Sequence, residues 1–313
     1  MEVSIVIPTK NRSEKLRKLF HSILKQTILP KEVIVIDDSD DSRNDKVIQQ
    51  LRKQFLDKGI KIRHIMPRNE RKSISKARNI GAKEAKGDIV LFLDDDVIID
   101  ENYLEEILKV FERKPNVLGV QGTVKNIQYS CFWNSIKKVF YYWHAERNKC
   151  QMLPSGKTVF AYPVDKVIPC EWLFGSNVAY RKEIFKEFRF NDKLLDYSLG
   201  EDKELSYKIY KEYPQSLFQT PHAKVYHSFS RSGNIDKRRI YIVTAYPIGF
   251  FYNNIKQTLK NKLIFVWSEL GRLILRIIWA LPKIITIKHI LTSYIVVIKH
   301  IHDVKRENYS FIR

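Results

Sequence analysis

Residues 87–97, Gly-Asp-Ile-Val-Leu-Phe-Leu-Asp-Asp-Asp-Val, run an apolar segment straight into three consecutive carboxylates, Asp94, Asp95 and Asp96. A short β-branched and aliphatic run behind a glycine reads as a buried strand, and adjacent acids at its end gather negative charge where the backbone leaves the core. Such charge needs a counter-ion. Hard divalent cations take oxygen ligands and sit on one or two carboxylates together with substrate phosphates, so the triplet points to a metal and diphosphate site at a strand's C-terminal end. Taken alone, it reads more simply as an acidic turn opening a helix over residues 100–113, where acids also suit the helix dipole. The flanking segments reverse that order.

The chain opens with Val-Ser-Ile-Val-Ile-Pro-Thr-Lys-Asn-Arg-Ser over residues 3–13, an apolar run, a proline that stops it, and a polar loop. Ser13 is placed to cap a helix whose Leu16, Leu19, Phe20, Ile23 and Leu24 fall on one face. Residues 32–39 form a second β-branched run ending in Asp37 and Asp38, residues 61–66 a third, and a helix over residues 73–85 leads into the Asp94 strand. This βαβαβαβ order predicts a mostly parallel sheet with helices on both faces. Ligands of such sheets bind at the carboxyl ends of the strands. Thr9 to Arg12, Asp37 with Asp38, and Asp94 to Asp96 are therefore expected in one crevice.

Six segments in order resemble the family 2 glycosyltransferases of the GT-A nucleotide-diphospho-sugar transferase fold. They are Ile-Pro-Thr-Lys-Asn-Arg at residues 7–12, Val-Ile-Asp-Asp-Ser at 35–39, Ala-Arg-Asn-Ile-Gly at 77–81, the Asp triplet, Gly-Ser-Asn-Val-Ala-Tyr-Arg at 175–181 and Gly-Glu-Asp-Lys-Glu-Leu at 200–205. The resemblance covers about three-quarters of the chain, and the order and spacing together carry more than any one segment. It implies a Rossmann-like, mostly parallel sheet, with residues 1–230 as catalytic domain (1–100 the nucleotide-binding half, 101–230 the acceptor half). Residues 231–313 remain as a helical, amphipathic appendage.

The resemblance also implies roles. Pro8, Thr9, Lys10, Asn11 and Arg12 would lie along the nucleotide, Asp38 would accept from the nucleobase, and Arg78 would reach diphosphate or base; by residue type alone Arg78 is a surface helix charge. Asp94 and Asp96 form the Asp-x-Asp pattern, with Asp96 the better metal ligand and Asp94 and Asp95 serving ribose or metal-bound water. His227, after a late strand, would complete a Mn²⁺ or Mg²⁺ site. Gly175 permits close approach, Ser176 and Asn177 offer hydrogen bonds to sugar hydroxyls, and Trp172 either stacks on a sugar or fills core. Asp202 is the implied general base, with Glu201 touching acceptor or donor sugar.

With 313 residues, 44% of them hydrophobic, the chain can build one large domain plus an appendage. It starts on core strand, so no leader is expected. Cys131, Cys150 and Cys170 are odd in number and lack Cys-x-x-Cys spacing, against a disulfide framework or zinc site and in favour of a cytosolic home. Residues 231–313 carry 15 Lys and Arg against 4 Asp and Glu, +11 of the chain's +20. The apolar runs there fall short of the roughly 20 uninterrupted residues a spanning helix needs. Basic residues with Trp267 and Trp279 among Leu and Ile instead suit a helix lying in anionic headgroups, or an appendage packed on the body. Nucleic acid also explains positive charge, but no nucleic-acid motif is present and the cations interleave with aliphatic runs.

The expected protein is thus a metal-dependent inverting glycosyltransferase, peripheral on the inner face of the cell membrane. It would move sugar from a nucleotide-sugar, UDP-sugar first, to a lipid-linked or cell-surface glycan. Polyprenyl phosphate, as in the dolichyl-phosphate-sugar synthases, is the alternative acceptor. A non-catalytic basic membrane-surface or nucleic-acid-binding protein is the alternative of another class. A nucleotidyltransferase lacks support, because its Gly-rich phosphate loop after the first strand is missing. Residues 124–170, dense in Tyr, Trp and Phe, are suited to a sugar, a lipid tail or a second copy of the chain.

Overall fold

The computed structural model describes residues 1–67, 73–127, 130–194, 198–228, 236–281 and 283–312. Strands and helices alternate first: β1 (Val3–Thr9), α1 (Ser13–Leu24), β2 (Glu32–Asp37), α2 (Arg43–Asp57), β3 (Lys61–Ile65), α3 (Ile74–Glu84), β4 (Ile89–Leu93), the short β5 (Val97–Ile99) and α4 (Tyr103–Arg113). Then follow β6 (Gly119–Val124), α5 (Cys131–Val139), β7 (His144–Glu146), β8 (Gln151–Met152), β9 (Thr158–Ala161), β10 (Ile168–Pro169), β11 (Asn177–Arg181), α6 (Glu201–Glu212) and β12 (Leu217–His227). The chain closes with α7 (Lys237–Asn254), α8 (Leu259–Ala280), α9 (Ile284–Lys299) and α10 (Ile301–Lys305).

Among the described residues the main sheet has nine strands, in the order β10-β12-β6-β11-β4-β1-β2-β3, with β5 pairing to β12. β3, β2, β1 and β4 are parallel, as the alternating pattern requires, and β2 and β4 are buried along their whole length. Beyond β4 the expected parallel order ends. β11 enters antiparallel to both β4 and β6, so the far half of the sheet is mixed. No crossover helix precedes β11, and without one a strand is free to return in the opposite sense.

Leu16, Leu19, Phe20, Ile23 and Leu24 of α1 are buried, as their spacing predicts, although Ser13 is the first helical residue and Arg12 holds the cap position. Apolar residues fill both faces of the sheet. A third core lies among α7, α8, α9 and α10, where Phe251 stacks on Phe265 at 3.9 Å and Tyr246 meets Tyr309 at 4.5 Å. The expected division at 230/231 falls outside the described residues. The appendage is tied to the body: Lys157 Nζ donates to Glu269 Oε1 of α8 at 2.6 Å, and Tyr207 of α6 packs on Phe250 of α7.

α8 is turned inside out relative to a water-facing helix. Glu269 and Arg272 are buried, whereas Leu263, Val266, Leu270, Ile274 and Ile278 are exposed at three- and four-residue spacing. Ile284, Ile285, Leu291, Ile295 and Ile298 of α9, with Phe132 and Val139 of α5, extend the exposed apolar surface. Among the described residues no helix is long and apolar enough to cross a membrane.

Candidate active site

Parallel pairing aligns the ends of β1, β2 and β4, so their polar tips share one edge. β12 runs antiparallel to β5, which opposes His227 to Val97, just past the triplet. His227 Nε2 therefore lies 3.4 Å from Asp96 Oδ1 and 4.0 Å from Asp94 Oδ2. One ligand atom from each of Asp94, Asp96 and His227 can be chosen so that all lie within 4.8 Å of one another.

Cations already answer the triplet. Arg12 Nη1 donates to Asp95 Oδ1 at 2.9 Å and Asp96 Oδ2 at 3.2 Å, and Lys15 Nζ reaches Asp96 Oδ2 at 3.2 Å. Thr9 Oγ1 donates to Asp95 Oδ2 at 2.8 Å. Burial pushes the carboxyls of Asp94 and Asp95 up to about 6, against the pull of Arg78 on the first and Arg12 on the second. Lys15 was not singled out from sequence, although it stands one helical turn after Arg12 and that spacing is readable.

Arg78 is not a surface charge. It is 2% exposed and ties three segments together, with Nη1 donating to Glu201 Oε1 at 2.5 Å and Nη2 to Asp94 Oδ1 and the Gly175 carbonyl, both at 2.9 Å. Burial and the neighbouring Asp202 raise the Glu201 carboxyl, opposed by Arg78. The Gly175 N–H donates to Asp202 Oδ2 at 2.7 Å, and a Cβ at Gly175 would lie 2.6 Å from Arg78 Nη1 and 2.8 Å from Asp202 Cβ. Only glycine fits there. Glu201 and Asp202 both line the cleft, with the Glu201 carboxylate held by Arg78 and the Asp202 carboxylate by the Gly175 N–H.

That cleft holds about 1010 Å³. Pro8, Thr9, Lys10, Arg12, Asp38 and Arg78 line it, with the whole Asp triplet and His227. Asn11 turns elsewhere: its side chain exchanges hydrogen bonds with Asp40, 3.2 Å to the carboxylate and 3.0 Å from the N–H, and so staples the β1 and β2 loops. Asp37 is buried. Burial raises its carboxyl, but hydrogen bonds from His64, Ser39 and Asn44 outweigh that and hold it below the usual range.

Trp172, Gly175 and Ser176 also line the cleft. Trp172 is 5% exposed and its indole N–H donates to the Val159 carbonyl at 3.0 Å, a packed placement. Asn177 is 1% exposed and accepts from the Tyr103 hydroxyl at 3.2 Å while donating to Ser176 Oγ at 3.1 Å. The far wall joins Lys203, from the 200–205 segment, to residues with no readable motif: Tyr142 and Trp143, Lys157, and Val243, Tyr246, Phe250 and Arg272 of the appendage.

A half-parallel sheet with β11 reversed beside β4, and strand-end acids facing a cleft, defines the GT-A class of fold. The Staphylococcus aureus protein TarS, residues 1–349 in complex with UDP-GlcNAc, matches with a TM-score of 0.62 at 15% identity, covering 98% of this chain and 88% of that one. GalNAc-T7 with UDP, GalNAc and Mn²⁺ matches with a TM-score of 0.59 at 19% identity over 87% of this chain and 55% of that one. The likeness to these two is one of fold. The profile described as glycosyl transferase family 2 matches residues 4–188, and the chain belongs to that family. The glucosyl-dolichyl phosphate glucuronosyltransferase of Haloferax volcanii is 26% identical over 193 residues, 60% of this chain and 55% of that protein. The chain spans about half the length of the curated relatives it matches first.

Proposed function

We propose that this chain is a metal-dependent, inverting glycosyltransferase that moves a sugar from a nucleotide-diphospho-sugar to a hydroxyl of a lipid-linked or cell-surface glycan. The observation that carries this reading is the convergence of Asp94, Asp96, His227 and Asp202 on one cleft. UDP-sugar is the preferred donor, in keeping with the ligands named for the two solved structures.

Two carboxylates and an imidazole make a donor set suited to Mn²⁺ or Mg²⁺, and their spacing fits one ion. When bound, the cation neutralises the departing diphosphate. Lys10 and Arg12 face the phosphates, Asp38 accepts from the base, and Asp94 and Asp95 hold the ribose side. Arg78 orients Asp94 and Glu201 rather than meeting the nucleotide, and Gly175 and Ser176 pass close to the donor sugar. Asp202 takes the proton of the attacking hydroxyl, and in-line displacement inverts the anomeric carbon. Asp96→Asn is expected to weaken Mn²⁺-dependent UDP binding with the fold intact. Calorimetric titration that finds unchanged UDP affinity and unchanged metal dependence in the folded variant rules out this ligand.

We assign residues 1–230 to the catalytic body and 231–313 to an appendage that docks the enzyme on the inner face of the cell membrane. The reversed α8 supports this, because its outer apolar face is flanked by exposed Lys256, Lys260, Lys262 and Lys283. Buried Glu269 and Arg272 belong to the protein side of that helix, not to the headgroup side. Full-length protein should float with anionic vesicles, and the triple variant Leu263→Glu, Leu270→Glu, Ile274→Glu should not. Binding duplex DNA far more tightly than lipid is the outcome that defeats this reading in favour of a nucleic-acid protein. The alternative acceptor, polyprenyl phosphate, gains support from the Haloferax relative, which is named for a dolichyl phosphate.

A further inference from the structure

We infer that the far wall of the cleft is an anion site, in which Lys203, backed by Lys157 and Arg272, receives a phosphate group of the acceptor. The inference rests on the glycosyltransferase reading above and names the acceptor's chemistry.

Lys203 occupies the first turn of α6, where the helix dipole favours anions and disfavours an ammonium. Its Nζ donates to the Gly156 carbonyl at 3.0 Å and lies 3.6 Å from the centre of the Phe250 ring. Among the described residues no carboxylate lies within ion-pair distance of it. The cations behind it are buried: Lys157 is 6% exposed and Arg272 2%, and both bind the single carboxylate of Glu269. Arg276, half-buried, donates to Thr244 Oγ1 at 2.7 Å. Other acids facing this region are Glu201, bound to Arg78, Asp202, engaged by backbone N–H groups, Glu204, bound to Lys208, and Glu307, bound to Lys193.

The wall therefore holds more positive than negative charge in a sheltered place, and burial pushes the Lys203 ammonium down to about 7 and Lys157 down to about 8. A phosphate offers several acceptor oxygens and the missing negative charge, and its charge-assisted hydrogen bonds are strong. Asp202 is the adjacent residue, so an anion at Lys203 would hold its carrier beside the group assigned to take the hydroxyl proton. The surrounding Tyr142, Trp143, Val243, Tyr246 and Phe250 are apolar or aromatic and suit the carrier of that phosphate.

The test is calorimetric titration of full-length protein, with UDP and Mn²⁺ present, using farnesyl phosphate, glycerol 3-phosphate and farnesol. Wild type should bind a phosphate, Lys203→Gln should weaken it roughly 10- to 100-fold, and Lys203→Arg should restore most of it. Tight binding of farnesyl phosphate alone identifies a lipid source, and equal binding of glycerol 3-phosphate a soluble or polymeric one. In unaltered protein, acetylation of Lys203 by acetic anhydride, read by mass spectrometry, should slow when the binding phosphate is added. No phosphate binding where UDP binds, equal affinity in folded Lys203→Gln, farnesol binding as tightly as farnesyl phosphate, or unprotected Lys203 overturns the inference. Failure of wild type to bind UDP overturns the donor reading instead, and the phosphate titrations then still decide the anion site.

Discussion

Asp202→Asn is expected to lower kcat by about 10²–10⁴-fold while donor affinity stays nearly constant. The substitution keeps the shape and an acceptor oxygen for the Gly175 N–H, 2.7 Å from the carboxylate, so the glycine turn and the neighbouring Arg78 contacts persist. What is lost is a basic oxygen for the hydroxyl proton, an interaction made only as the acceptor attacks. Glu201→Gln should behave differently. Glu201 lines the cleft beside Asp202, but its carboxylate is held by Arg78, so its loss shifts Arg78, Asp94 and Gly175 together and shows mainly in substrate binding. Transfer kinetics on both variants, with UDP affinity measured in parallel, separate the roles. A near-normal kcat in Asp202→Asn with collapse in Glu201→Gln exchanges them, and full activity in both removes α6 from the chemistry.

Arg78→Met should be the most destabilising single change at the site, about 3–5 kcal/mol by urea unfolding at neutral pH. Glu201 and the Gly175 carbonyl lose their buried donor, and Asp94 loses the cation that holds it. An unpaired carboxylate in that setting is worse than an apolar pair of similar volume, so adding Glu201→Met to Arg78→Met should recover part of the loss. A loss below about 1 kcal/mol in Arg78→Met would mean that the buried bridge between α3, β4 and α6 contributes little to holding the site together.

How much of this was legible beforehand differs from element to element. The β1 to β4 core was, because β-branched runs separated by helical spacing are local signals, and a parallel sheet fixes where their ends go. The acids at 94–96 followed from the same logic, as did their meeting with Arg12. Lys15 was readable from its spacing and was passed over. Asn177 and Trp172 were different. Residue type allows both a ligand contact and a packed role, and only the neighbours, Tyr103 for one and the Val159 carbonyl for the other, place them.

The appendage shows the limit most clearly. Its periodicity reveals that α8 has an apolar face and a charged face, but not which of the two meets the protein. That was decided by Lys157, 112 residues away from Glu269, which draws the charged face inward and leaves Leu263, Val266 and Leu270 outside. The amino-acid sequence by itself determined the order of strands and helices from β1 to β4, the acid-bearing strand ends and the membership in glycosyl transferase family 2, since each is written in contiguous residues. The burial of Arg78, the reversal of β11 and the cationic far wall at Lys203 were decided only by the tertiary structure, because each depends on partners that the chain brings together across more than a hundred residues or across a sheet.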